Sequence, residues 1–156
     1  MGNDREFREE ILTLLRGPNA HPDFEEAAGG LPFPLQGLRP AGAAHTPWEI
    51  LEHVRIVQRD ILDFCRDPEY VSPEFPDGYW PQESAPRLPE DWDRSMASFL
   101  SDRAALESLV SDPARDLLAP VPDEEGPSLL HEILIVAAHN SYHLGQVLLL
   151  RRALGA

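Results

Sequence analysis

The sequence predicts an all-α protein, a four-helix bundle with long crossover loops, and three observations carry that prediction. The 16 prolines leave four windows free of proline, 1–17, 48–67, 90–112 and 128–156. Proline lacks a backbone N–H and clashes with the preceding turn, so only these windows admit long helices. Within each window apolar residues recur at helical spacing, and nowhere does the chain alternate with period two over a convincing length. Four amphipathic helices of this size bury their stripes against one another. With 156 residues, no internal repeat and no low-complexity tract, the chain is expected to form one domain over 1–156.

In the first window Phe7, Ile11, Leu14 and Leu15 mark an apolar face, with Asn3 or Asp4 as the expected cap and Gly17-Pro18 as the stop. The second opens on Thr46-Pro47-Trp48-Glu49, which reads as an N-cap, a proline at the first helical position and the Glu of a capping box. Its stripe is Ile50, Val54, Val57, Ile61 and Phe64. The third carries Trp92, Met96, Phe99, Leu106 and Val110. The fourth begins near Ser128, follows Ile133, Leu134, Ala137, Leu144, Val147 and Leu148, and ends at Gly155. The connections 17–45 and 68–88 are long and rich in Pro and Gly, a length that goes with crossing a bundle or covering a site. A full-length crossing by 17–45 would leave the first two long helices parallel. The shorter 112–127 connection allows the last two to be antiparallel.

Charge excludes several partner classes. Asp and Glu total 27 against 13 Arg and no Lys, a net charge of −14. Nucleic-acid affinity comes largely from cationic side chains that displace counterions, so no nucleic-acid partner is expected, and no anionic membrane surface either. Cys65 is the only cysteine, which rules out a disulfide framework and fits a reducing compartment. Residues 2–10 carry six charged side chains, unlike a secretory signal, and the longest uninterrupted apolar run is Ile133–Ala138. The expected location is the cytoplasm. Cys65 reads as a small buried residue.

Six histidines are present, at 21, 45, 53, 131, 139 and 143. His139 and His143 lie four apart in the last helix and so share a face. Two imidazoles at that spacing can grip one metal ion, as in HExxH proteases, but Asn140 stands where those motifs carry the catalytic Glu. Two ligands are too few for a stable site, and the pair reads equally well as exposed histidines. His53 is the best third ligand, since it points between Ile50 and Val57 toward the core. It also reads as a core-edge histidine satisfied by Glu49. Asp60 sits on a similar face, where it could orient an imidazole or simply be solvated. His131 in the first turn is expected to line the mouth of a pocket, and Gln146 to bond a metal-bound water or to sit at the core edge. His21 and His45 read as surface residues. Gly145 reads as a point of close helix packing, or as no more than a local cost to helix stability. The Arg151-Arg152 pair complements the negative end of its helix. Phe75 and Tyr79-Trp80, amid prolines, pin their loop to the bundle or wall a substrate pocket.

Taken together these residues resemble the DinB/YfiT-like superfamily of metalloenzymes. The resemblance rests on TPWEILEHV with His53, then on HEILIVAAHNSYHLGQVLLLRRALG with His139 and His143 in the family's HxxxH, followed by Gly145-Gln146. It implies a four-helix bundle with a three-histidine metal site, His53, His139 and His143, inside one end. Members that are understood include thiol-dependent S-transferases and isomerases that use bacillithiol, mycothiol or glutathione. The name derives from damage-inducible genes, hence an expected link to stress response.

Three neutral imidazoles leave an open coordination position on a divalent ion, zinc or nickel in the first instance. Such an ion lowers the pKa of water or of a low-molecular-weight thiol. The expected activity is thiol-dependent S-transfer to a small electrophile, or metal-dependent hydrolysis. The competing expectation is a non-catalytic metal-binding stress-response or dimerisation module, favoured if Glu49, Asp60 or Glu132 closes the shell. A third possibility is that the histidines bind no metal. A homodimer is expected because flat helix faces in such bundles pair.

Overall fold

Local signals place the ends of the long helices. Thr46 Oγ1 accepts from the Glu49 amide and the Glu49 carboxylate accepts from the Thr46 amide, so the capping box forms as the sequence predicts. Ser128 caps the last helix by accepting from the His131 amide, and Gly155, at φ 77°, closes it in the left-handed conformation that glycine adopts without strain. The computed structural model describes residues 2–156. Its helices are α1 (Gly2–Arg16), α2 (Phe24–Ala28), α3 (Phe33–Gln36), α4 (Pro47–Phe64), α5 (Asp91–Ser111) and α6 (Leu129–Leu154), with one 3-10 turn at Asp77–Tyr79. Among the described residues there is no strand, only an isolated bridge between Pro120 and Ser128.

The long helices form a four-helix bundle whose directions follow from residue pairs. Glu52 meets Ser95 and Arg59 meets Asp102, so α4 and α5 run parallel. His53 meets His143 and Gln58 meets Asn140, so α6 runs antiparallel to α4. Arg8 reaches the carbonyls of Val110, Asp112 and Arg115 while Arg16 pairs with Glu107, so α1 is antiparallel to α5. The expected parallel arrangement of the first two long helices is therefore wrong. The full-length crossing belongs to residues 65–90, which run back along α4, and not to 17–45.

The physical reason is that α1 is short. Its Ile11, Leu12 and Leu15 pack in one half of the core with Ile61, Leu62, Leu106, Val110 and Ile133. In the other half α2 takes over, burying Phe24, Ala27 and Ala28 against Trp92, Phe99, Leu144 and Val147. Trp92 Nε1 donates to the Ala28 carbonyl at 3.2 Å, and Arg151 donates to the carbonyls of Ala27 and Gly29, which ties the end of α2 to α5 and α6. Arg151 thus does more than complement its own helix.

Two helical faces differ from the sequence reading. On α1, Phe7 and Leu14 are exposed while Arg8 and Leu12 are buried. The Arg8 guanidinium rotates the face because it satisfies carbonyls at the end of α5 that lack intrahelical partners. The helix also includes Asn3 and Asp4, and Asp4 accepts from Arg8 rather than capping. On α6, Leu134 is exposed. By length and composition α6 could cross a bilayer, with a mean hydropathy of 1.3 over its most apolar window, yet it carries the polar run His139–His143 and packs into both halves of the core. A side chain at Gly145 would meet nothing within 4 Å, so that glycine serves no close packing.

Candidate metal centre

The site forms where α4 and α6 cross under the 65–90 connection. His53 comes from α4, His139 and His143 from successive turns of α6, and one ring nitrogen from each lies within 4.8 Å of the other two. His139 Nε2 stands 3.1 Å from His53 Nε2, and the ring centroids are 4.4–5.0 Å apart. Nitrogens bound tetrahedrally at about 2.1 Å from one ion stand roughly 3.4 Å apart, so this spacing suits a shared cation.

The outer nitrogens decide which way the inner lone pairs face. His53 Nδ1–H donates to the Tyr79 carbonyl at 2.7 Å. His143 Nδ1–H donates to the Gln146 amide oxygen at 2.7 Å. Each bond fixes the tautomer with a free lone pair on Nε2, the form that ligates a metal. Nδ1 of His139 is buried without a protein partner. Burial lowers the pKa of all three rings, and for His139 desolvation, together with the charges of its two neighbours, brings it down to about 4. The rings are thus neutral near pH 7. Three neutral, inward-facing nitrogen donors fit a divalent transition ion, and among the described residues no carboxylate or thiolate joins them.

Trp80 covers the cluster. Its ring stacks on His53 at a centroid distance of 3.9 Å and on His45 at 4.0 Å, making a three-ring sandwich. Tyr79 contributes its carbonyl to His53 and its hydroxyl to Asp60 Oδ2, at 2.9 Å, and burial and that carboxylate raise the phenol pKa. Thr46 Oγ1 donates to the Ser84 carbonyl, and Gly37 lies so close to Ala85 that any Cβ there would stand 2.3 Å from the Ala85 methyl. The connection is therefore strapped down on both sides of Trp80. Beneath the site, Asn140 donates to Gln58, which donates to the Phe99 carbonyl, joining α6, α4 and α5.

The structure redistributes the supporting residues named from sequence. Glu49 does not touch His53; it is held by the cap and by Arg39 at 2.9 Å. Asp60 does not orient an imidazole directly but anchors Tyr79, whose carbonyl does. Gln146 positions the His143 ring, and its amide oxygen is already engaged there. His131 is exposed in the first turn of α6, about 12 Å along the axis from His139. His21 and His45 are half-buried rather than free on the surface: His21 accepts from the Ser141 hydroxyl at 2.9 Å, and His45 stacks on Trp80. Phe75 is exposed, leaving Tyr79 and Trp80 to pin the loop. Cys65 is buried, with its thiol pushed up to about 12 by desolvation. Sequence reasoning missed the Tyr79 carbonyl, since a backbone acceptor leaves no residue-type signal, and the Trp80–His45 stack, which adjacency in sequence does not reveal.

Residues 19–147 match the DinB superfamily, and the chain belongs to that family. Comparison with curated proteins and with solved structures gives no match.

Proposed function

We propose that the chain is a metal-dependent enzyme that transfers a small-molecule thiol to a small electrophile. The observation that supports this reading is the three-histidine cluster, with its tautomers set from outside and no fourth protein ligand among the described residues. A centre with three protein ligands keeps a position open for chemistry, whereas four protein ligands make a structural site. Bound there, a zinc or nickel ion supplies Lewis acidity that lowers the pKa of a thiol.

The chain's residues do the rest. His53, His139 and His143 hold the ion. The Tyr79 carbonyl and Gln146 keep the His53 and His143 rings in the ligating tautomer. Trp80 roofs the His53 side and excludes water, which strengthens electrostatic effects beneath it. Hydrolysis fits less well, because it calls for a general base near the bound water. Glu49 and Asp60 are both engaged elsewhere, and Asn140 is turned into the bundle toward Gln58.

The test has two arms. Metal analysis of the purified protein should give about one equivalent, lost in His53→Ala and His143→Ala. The loaded protein should then conjugate monochlorobimane with one member of a panel of low-molecular-weight thiols, and chelation should abolish turnover. Full metal content in both variants would sink the site, and a loaded protein inert with every thiol would leave only a metal-binding module. The reading also includes a cytoplasmic location and a homodimer through the exposed α6 side chains Ile135 and Tyr142. Light scattering that returns a monomer at micromolar concentration would remove the dimer.

A further inference from the structure

A cavity of about 330 Å³ is lined by His45 and Gln146 and by none of the three imidazoles. One wall is α6, with Leu149 and Ala153; the other is the 40–45 loop, with Ala43, and Ile50 of α4 lines it as well. No Asp, Glu or Arg side chain lines it. Of the cations next in sequence to its lining, Arg39 is held by Glu49 and Arg151 by the Ala27 and Gly29 carbonyls, and Arg152 does not line it. An anionic group placed here would lose its hydration without gaining a counter-charge, whereas an apolar group would gain by leaving water. The volume falls at the lower end of the range for small-molecule pockets.

Two lining residues connect this cavity to the metal centre. Gln146 accepts from His143 Nδ1 at 2.7 Å. His45 stacks on Trp80, whose opposite face covers His53. A molecule seated against Leu149 and Ala153 therefore lies one residue, Gln146, from the His143 ring and two, His45 and Trp80, from the His53 ring.

We propose that this cavity is a subsite for an uncharged apolar group, the aliphatic or aromatic tail of the electrophile that reacts at the three-histidine centre. The assignment rests on the metal-dependent reading given above. It makes the substrate a neutral compound with one hydrophobic end.

Two measurements test the subsite and keep it separable from the metal. The first titrates the metal-free protein with N-phenyl-1-naphthylamine, an uncharged fluorophore. It should bind, and Ala153→Trp, which fills the cavity from an exposed helix position, should weaken binding at least tenfold. Leu149→Gln should weaken it severalfold, with thermal melts confirming that both variants fold. The second titrates cobalt-loaded protein with uncharged primary alkyl chlorides from two to six carbons, electrophiles that carry no thiol, and follows displacement of the fluorophore. Affinity should rise about fourfold per methylene in the wild type and level off in Ala153→Trp. No fluorophore binding, equal binding in both variants, or a flat chain-length series would overturn the subsite. Fluorophore binding that Ala153→Trp abolishes in a protein that takes up no cobalt would support the subsite and remove the metal reading.

Discussion

Gln146 illustrates how one side chain can tune a metal site without touching the ion. Its amide oxygen holds the His143 Nδ1 proton, and loss of such a partner typically costs 10- to 100-fold in metal affinity. Gln146→Leu should weaken zinc binding by about that factor in competition with a chromophoric chelator, while Gln146→Glu should preserve it. Equal affinity in all three proteins would show that the ring needs no acceptor. His139 gives a pH signature. Its folded pKa is lowered to about 4 from an ordinary 6.5. Between those values the unfolded chain takes up a proton that the folded site refuses, so acid favours unfolding. This ring's penalty is absent above pH 6.5, grows as the pH falls toward 4 and levels off below. Melting of metal-free protein should therefore decline less steeply over that window in His139→Leu than in the wild type; parallel declines would contradict it.

The decisive element is the connection 65–90. It has almost no regular structure, yet it supplies the His53 acceptor through Tyr79 and the aromatic roof through Trp80. Burying a large aromatic side chain stabilises by about 2 kcal/mol, and part of that is at stake at half-buried Trp80. Trp80→Ala should lower stability by about 1–2 kcal/mol in urea titration, free His45 and His53 to reorient, and speed metal loss to a chelator. A variant that melts early but holds metal as tightly as the wild type would show that the roof is purely structural. The α1–α2 pair carries a second lesson. A 15-residue helix cannot line the whole core, and the Pro-rich stretch after it supplies a second, short helix whose face of Phe24, Ala27 and Ala28 finishes the task.

Across the whole molecule, metal binding and folding should be coupled, because the site draws on α4, α6 and the crossing connection at once. A ligand at about 100 times its Kd stabilises the folded state by about 2.7 kcal/mol. For a chain of this size that corresponds to a rise in Tm of roughly 5–10 °C on adding zinc to metal-free protein. His53→Ala should abolish the rise. An unchanged Tm in the wild type would mean that the three rings hold nothing in solution. The net charge of −14 sets a further expectation, that duplex DNA is not bound at physiological salt.

Much of this architecture was legible in the chain. The proline-free windows located all four long helices, because a missing N–H and a ring clash act locally and leave little choice. The capping residues Thr46, Ser128 and Gly155 were legible for the same reason, since caps are satisfied within one turn. The spacing of His139 and His143 was enough to place them on one face. The remaining features depended on residues distant in sequence. Helix directions turned on where α1 ran out of apolar surface and α2 began. Arg8 became buried only because unpaired carbonyls at the far end of α5 met it. Glu49 and Asp60 lost their expected roles because Arg39 and Tyr79 reached them, and His45 left the surface because Trp80 lay across it. Local backbone chemistry is written in consecutive residues, whereas desolvation and partnership depend on which distant groups the packing brings within reach.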